Sequence, residues 1–256
     1  MLTLYFSATG NARYIAELLC REMGGRCMSI EARADFDAEI AAHGVIAFCY
    51  PVYGSRVPRI MREFVARHMP ALTGKRLVIC AVQNIFSGDA ARAFTDMFDI
   101  GAVEVVYAEH FNMPNNICNT PLLRPTSSRK IERYKRKAEL KVARMCDNMR
   151  RGVVKRRGFS WISRRLGSIQ GNPWARLELK AMSGVKIHPQ CNACKLCTKI
   201  CPMQNLTERD GRIQQCGNCI LCYRCVNQCP QRAITVLFHK IPKWQYKGVE
   251  RNDKIL

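Results

Sequence analysis

The sequence predicts an α/β protein in which a doubly wound, five-stranded parallel sheet is followed by a small, cysteine-rich α+β domain. Three observations carry this. Short, nearly unbroken apolar runs alternate with helical stretches through the first half of the 256-residue chain, as expected of strands covered on both faces of a parallel sheet. Loops of small and polar residues follow the first, third and fourth of those runs. Nine of the fifteen cysteines fall between Cys191 and Cys229. At 29.2 kDa, with 48% hydrophobic and 24% charged residues, the chain has ordinary globular composition and room for two domains.

The elements can be taken in order. Leu2 to Phe6 is the first strand, Ala12 to Met23 an amphipathic helix, Cys27 to Ile30 the second strand, and Gly44 to Tyr50 (GVIAFCY) a buried third. A helix from Pro58 to His68, the strand Arg76 to Val82, a helix from Asp89 to Phe98 and the strand Val103 to Tyr107 complete the sheet. From Arg129 to Arg151, apolar Ile131, Tyr134, Ala138, Val142, Met145 and Met149 lie on one helical stripe, which suits a last helix closing the sheet. Gly184 to His188 and Ala233 to Phe238 read as outer strands of the second domain, and Asn205 to Gln215 as a hairpin turning at Asp210-Gly211. The expected division is residues 1–152 for the sheet domain, 153–183 for a basic linker, 184–239 for the cysteine-rich domain and 240–256 for a tail.

In open parallel sheets ligands bind at the carboxyl ends of the strands, where strand order reverses. After the first strand come Ser7-Ala8-Thr9-Gly10-Asn11-Ala12, leading straight into a helix. Backbone N–H groups, two hydroxyls and the helix dipole there suit a phosphate. After the third come Pro51-Val52-Tyr53-Gly54, where Tyr53 can offer a flat face to a ring system. After the fourth come Asn84 to Asp89, a turn whose backbone can approach a ligand at Gly88.

Eight cysteines spell CxxCxxCxxxCP twice, at Cys191, Cys194, Cys197, Cys201 and again at Cys219, Cys222, Cys225, Cys229, with an offset of 28 residues at every position. This spacing holds pairs of four-iron clusters, because three thiolates in a tight loop reach three corners of one cubane while the fourth reaches its neighbour. Cys191, Cys194, Cys197 and Cys229 would then hold one 4Fe-4S cluster, and Cys219, Cys222, Cys225 and Cys201 the other. Structural zinc prefers two separated CxxC pairs, and disulfides need an oxidising compartment. The opening MLTLYFSATG has no basic segment, long apolar core or small-residue cleavage site, so a cytoplasmic location is expected. Cys216, three residues before the second motif, is a spare that could slide the register; the constant offset and Pro230 favour Cys219 as first ligand. The other six cysteines sit in apolar runs as small hydrophobes, and the five histidines are too scattered to assemble a catalytic triad or a histidine metal site.

The loop FSATGN resembles the phosphate loop of flavodoxins. Together with PVYG, NIFSGD, Met113-Pro114-Asn115-Asn116 and the two cysteine motifs, it makes the chain similar to fused flavodoxin-like and two-cluster ferredoxin proteins of anaerobic bacteria and archaea. The resemblance implies a flavodoxin-like doubly wound sheet that binds FMN and a bacterial-type ferredoxin domain with two 4Fe-4S clusters. It implies that Ser7, Thr9, Gly10 and Asn11 contact the FMN phosphate, and that Pro51, Tyr53, Gly54, Asn84 and Gly88 border the isoalloxazine. Three positions depart from that pattern: Ala12 replaces a hydroxyl residue, and Ile85 and Phe86 are bulky where small residues are commoner.

Charge is concentrated between Arg124 and Lys186, where nineteen Lys and Arg stand against four acids, a net +15 of the chain's formal +21. Such a surface suits acidic redox partner proteins or an anionic membrane surface. Nucleic acid would usually require a recognition module, and none accompanies the basic segment. A solvated helix face offsetting the thiolate charge is the plainest alternative. The functional expectation is intracellular electron transfer through the two clusters coupled to FMN, with a flavin-dependent oxidoreductase acting on a small substrate as the rival and an oxygen- or iron-sensing module as a third reading.

Overall fold

The computed structural model of the chain describes residues 1–86, 88–120 and 123–249, so Ser87 of the NIFSGD loop and the last seven residues of the tail lie outside the described residues. β1 (Leu2–Tyr5), α1 (Asn11–Met23), β2 (Arg26–Ser29), α2 (Phe36–Ala41), β3 (Val45–Pro51), α3 (Arg59–Arg67), α4 (Met69–Leu72), β4 (Arg76–Gln83), α5 (Ala90–Thr95) and β5 (Glu104–Asn112) follow in order. Next come α6 (Ser128–Arg150), β6 (Lys155–Arg156) and α7 (Trp161–Ala181). The cysteine-rich part contains β7 (Lys186–Ile187), α8 (Leu196–Ile200), β8 (Leu206–Arg209), β9 (Arg212–Gln215), α9 (Arg224–Gln228) and β10 (Ile234–Thr235).

The large sheet runs β2-β1-β3-β4-β5-β6 and every pairing in it is parallel. Because side chains alternate along a strand, β3 sends Ile46, Phe48 and Tyr50 into one core and Ala47 and Cys49 into the other. On the first face Phe94 of α5 packs 4.7 Å from Phe48, and the Tyr50 hydroxyl donates to the Ala90 carbonyl at 3.0 Å. On the second, α1 and α6 lie together: Ile15 and Leu19 meet the row Ala138, Val142, Met145 predicted from the stripe. Ser127 caps α6 by accepting from the Lys130 N–H.

Two expectations are corrected. The sheet has six strands rather than five, because Lys155 and Arg156 pair with Tyr107 and Ala108. Two charged residues carry no strand periodicity; the open edge of β5 supplies the pairing. The segment 153–183, read as a basic linker, holds both β6 and the 21-residue α7. Ser160 caps α7, its side chain accepting from the Ser163 N–H.

In the cysteine-rich part, β8 and β9 form the predicted hairpin, with Asp210 and Gly211 both at positive φ at its tip. The outer strands shrink to two residues each, β7 antiparallel to β10, since left-handed Leu237 (φ 62°) and His239 (φ 50°) turn the chain away. A third core contains Val185, Ile213, Leu221, Val226 and Ile234, while Ile220 and Cys222 belong to the first core and so join the two parts. The tail folds back: Tyr246 and Val249 are buried among residues of α1 and α6.

Candidate functional site

At the carboxyl ends of β1, β3 and β4 lies a cavity of about 330 Å³. Ser7, Thr9, Asn11, Pro51, Tyr53, Gly54 and Asn84 all line it, as the loops suggested. Gly10 and Gly88 do not line this cavity among the described residues. Gly10 is the left-handed N-cap of α1 (φ 93°) and borders a neighbouring cavity with Arg13, Glu31 and Arg224. Gly88, also at positive φ, packs instead on α7, where an added Cβ would stand 2.6 Å from the Gly167 Cα.

Ser7 Oγ and the Tyr53 hydroxyl are buried without a hydrogen-bond partner among the described residues. A buried polar atom left unpaired costs about 1–3 kcal/mol, and both residues belong to the lining of this cavity. Burial also raises the Tyr53 hydroxyl pKa far above its ordinary value, keeping it a neutral donor. Thr9 Oγ1 accepts from Asn116 Nδ2 at 3.4 Å. Asn11 is otherwise engaged: its Nδ2 donates to the Pro114 carbonyl at 2.8 Å, and its Oδ1 accepts from the Tyr246 hydroxyl at 2.6 Å. Its amide fastens the loop, which leaves its backbone N–H for a ligand. The set fits a phosphorylated aromatic cofactor such as FMN, with donors at the start of a helix and aromatic Tyr53 beside the next loop.

The cavity has two walls that sequence reasoning missed. One is α7, which contributes Gln170 and Trp174. Gly54, at φ 55°, lies directly under the Trp174 indole, and Ser55 Oγ donates to Gln170 Oε1 at 2.5 Å. Gly167 and Gly171 are buried on the same helix face, and Glu178 is anchored by Arg62 at 3.2 Å and Arg56 at 3.8 Å. The signal was present as small residues Ser163, Gly167 and Gly171 spaced four apart, which let a helix approach backbone closely. The other wall is the second cysteine loop, through Leu221 and Tyr223.

The backbone around the cysteines repeats with the sequence. Left-handed Ala193, Lys195 and Gln204 are matched 28 residues on by left-handed Leu221, Tyr223 and Arg232. The Asn205 N–H donates to Cys201 Sγ at 3.2 Å and the Ala233 N–H to Cys229 Sγ at 3.3 Å, again at the same offset. The His188 N–H donates to the Ala233 carbonyl and the Cys216 N–H to the Asn205 carbonyl, each at 2.8 Å. Cys216 therefore stands where His188 stands in the first repeat. A third N–H to sulfur bond runs from Leu221 to Cys219 at 3.4 Å.

Cys191, Cys194, Cys197 and Cys229 line one small cavity together, with Ile213 and Ile234. No group of three or more His, Cys, Asp or Glu side chains stands closely enough for a single metal ion among the described residues. Burial pushes the Cys222 thiol up to about 12 and those of Cys219 and Cys197 to about 11, so a bound cationic centre would have to displace their protons. The donor set, the N–H to sulfur bonds and the paired loops fit two iron–sulfur clusters.

Arg224, between Cys222 and Cys225, ties this loop to the loop between β1 and α1. Its guanidinium donates to the Ser7 and Ala8 carbonyls at 2.9 and 3.2 Å and pairs with Glu31 at 2.6 Å. Asn116 donates to the Cys222 carbonyl at 3.1 Å as well as to Thr9, while Asn227 donates to the Asn116 carbonyl at 2.8 Å.

Comparison with known proteins agrees with the sheet. Residues 2–119 match the family model described as Flavodoxin domain, so this part of the chain is flavodoxin-like. Curated proteins give no match. Similar solved structures include a two-electron reduced flavodoxin of Megasphaera elsdenii, 20% identical with TM-score 0.39, covering 56% of this chain and 99% of that one. A putative flavoprotein of Bacteroides eggerthii is 21% identical with TM-score 0.37, covering 44% and 89%. Flavodoxin 2 of Bacillus cereus is 17% identical with TM-score 0.38, covering 56% and 97%.

Proposed function

We propose that the chain is an electron-transfer protein that binds FMN in its flavodoxin-like domain and two 4Fe-4S clusters in a ferredoxin-type C-terminal domain. The observation that carries this reading is a shared wall. Leu221 and Tyr223, the paired left-handed residues of the second cysteine loop, border the same cavity as Ser7 and Tyr53. FMN can hold one or two electrons and each cluster one, which lets such a chain couple one-electron to two-electron chemistry.

Ser7, Thr9 and the backbone at the start of α1 would hold the FMN phosphate, and Tyr53 and Trp174 would flank its ring. Cys219, Cys222, Cys225 and Cys201 would hold the cluster beside the cavity; Cys191, Cys194, Cys197 and Cys229 would hold the other. Burial separates their roles. Cys222 is buried against the sheet domain, whereas Cys194 and its neighbour Lys195 are exposed. The set of Cys191, Cys194, Cys197 and Cys229 is thus the port for a redox partner protein, and exposed Lys195 and Lys199 favour an acidic one.

Anaerobic purification followed by iron, sulfide and flavin quantitation tests the reading. About eight irons, eight sulfides and one FMN per chain are expected. Bound zinc without sulfide would refute the cluster assignment, and an iron-loaded chain that takes up no FMN would refute the flavin assignment.

A further inference from the structure

Between Asp147 and Glu178 the chain carries eight Lys and Arg and no acid. This segment includes β6 and the N-terminal half of α7, and among the described residues it holds six of the thirteen exposed large apolar side chains. α7 turns Gly167, Gly171 and Trp174 toward the sheet domain. On another side of the helix Ile162, Leu166 and Ile169, spaced four and three apart, form a stripe exposed at 52%, 42% and 69%, and Trp161 is 70% exposed. Arg164 and Arg165 stand exposed beside it.

The loop that packs on the sheet-facing side of α7 carries exposed apolar residues of its own. Ile85 is 78% exposed and Phe86 49%, and Gly88 of that loop packs on Gly167 and the Ser163 carbonyl. Asn84 and Ile85 in turn share a cleft with Arg133, Lys137 and Lys141 of α6. The exposed apolar residues of α7 and those of this loop each therefore have cations close by.

We infer that this face seats the protein on an anionic membrane surface, with α7 lying in the headgroup region. Stable attachment of this kind takes two signals, apolar side chains at the acyl boundary and a polybasic patch, and here both come from one surface. Among the described residues no helix is long and apolar enough to cross a membrane, so the attachment is peripheral. A lipid surface accommodates apolar groups projecting singly between arginines, whereas a protein partner would need a matching pocket for each. The inference does not depend on which cofactors are bound.

The full chain can be floated with vesicles of phosphatidylcholine containing phosphatidylglycerol, against phosphatidylcholine alone, at low and high salt. Retention on the anionic vesicles, loss of most of it in high salt and a blue shift of tryptophan fluorescence are expected. Arg164→Gln with Arg165→Gln should weaken partitioning about thirtyfold at low salt. Trp161→Ala with Ile169→Ala should weaken it roughly tenfold or more. All four side chains are exposed, and an unchanged thermal midpoint verifies that each variant is folded. Equal retention on both vesicle types, or variants that bind like the parent, would overturn the inference. Binding to immobilised polyglutamate without binding to vesicles would overturn it too, assigning the face to an acidic protein.

Discussion

Gly54 lies beneath the indole of Trp174 with no room for a side chain between them, so the second cavity loop and α7 are fitted to each other. Gly54 also sits at φ 55°, where an L side chain costs about 1–2 kcal/mol. Gly54→Ala should therefore lower stability by at least that much, since its methyl would also press on the indole, and push α7 outward, seen as faster proteolysis between Trp161 and Ala181. Trp174→Ala keeps the backbone and removes only the ring. It should weaken FMN retention roughly fivefold, about 1 kcal/mol of aromatic contact, measured by flavin release on dilution. Unchanged release would mean that Trp174 merely packs.

The Cys216 and His188 equivalence makes the proposed ligand register testable. Cys216→Ser should leave the iron content of the anaerobically purified chain at about eight per molecule, while Cys219→Ser should reduce it to about four or unfold the domain. Loss of iron from the Cys216 variant would shift the register by three residues. The register would then conflict with the backbone repeat at Leu221, Tyr223 and Arg232.

Strong local patterns were legible in the sequence. The apolar runs of β1, β3 and β4, the stripe of α6, the Asp210-Gly211 turn and the three cavity loops each carry a period or a turn residue that acts within a few positions. What escaped prediction depends on partners distant in the chain. β6 is a strand only because β5 offers an edge, and α7 covers the cavity only because Gly54 and Gly88 leave space for it. Asn11 shows the same limit within the site. Its place beside the cavity could be read from the loop, but its commitment to Tyr246, 235 residues away, could not.

Tyr246 closes that commitment from the tail. Its hydroxyl reaches Asn11 Oδ1 while its N–H reaches Asn227 Oδ1 at 2.7 Å, and Gln245 Nε2 donates to the Val226 and Cys229 carbonyls at 2.8 and 2.7 Å. One stretch of tail thus spans α9 and the start of α1. Tyr246→Phe removes the Asn11 bond alone and should cost about 1 kcal/mol in thermal or denaturant unfolding. Truncation before Trp244 removes the whole strap and should increase hydrogen exchange in both α1 and α9. Protection unchanged in α9 would show that the tail braces only the sheet domain.

His110 gives the protein a distinct acid sensitivity. It is 3% exposed on β5, and burial, then the Arg157 guanidinium, hold its imidazole down at about 4, with Lys141 acting in the same direction and Glu109 against them. An unfolded histidine takes its proton near 6.5, so as pH falls from there toward 4 the unfolded chain binds a proton that the folded chain refuses. Its contribution to stability is complete above that range and should decline by about 2 kcal/mol between pH 7 and 5. Glu109 acts lower. Burial raises its pKa, but the His110 N–H, Lys155 and Lys141 outweigh burial and leave it below the usual carboxylate value, so its share is lost only in stronger acid. Denaturant midpoints measured between pH 7 and 5 should accordingly flatten in His110→Gln and keep their slope in Glu109→Gln; an unaltered slope in the histidine variant would place the acid sensitivity elsewhere.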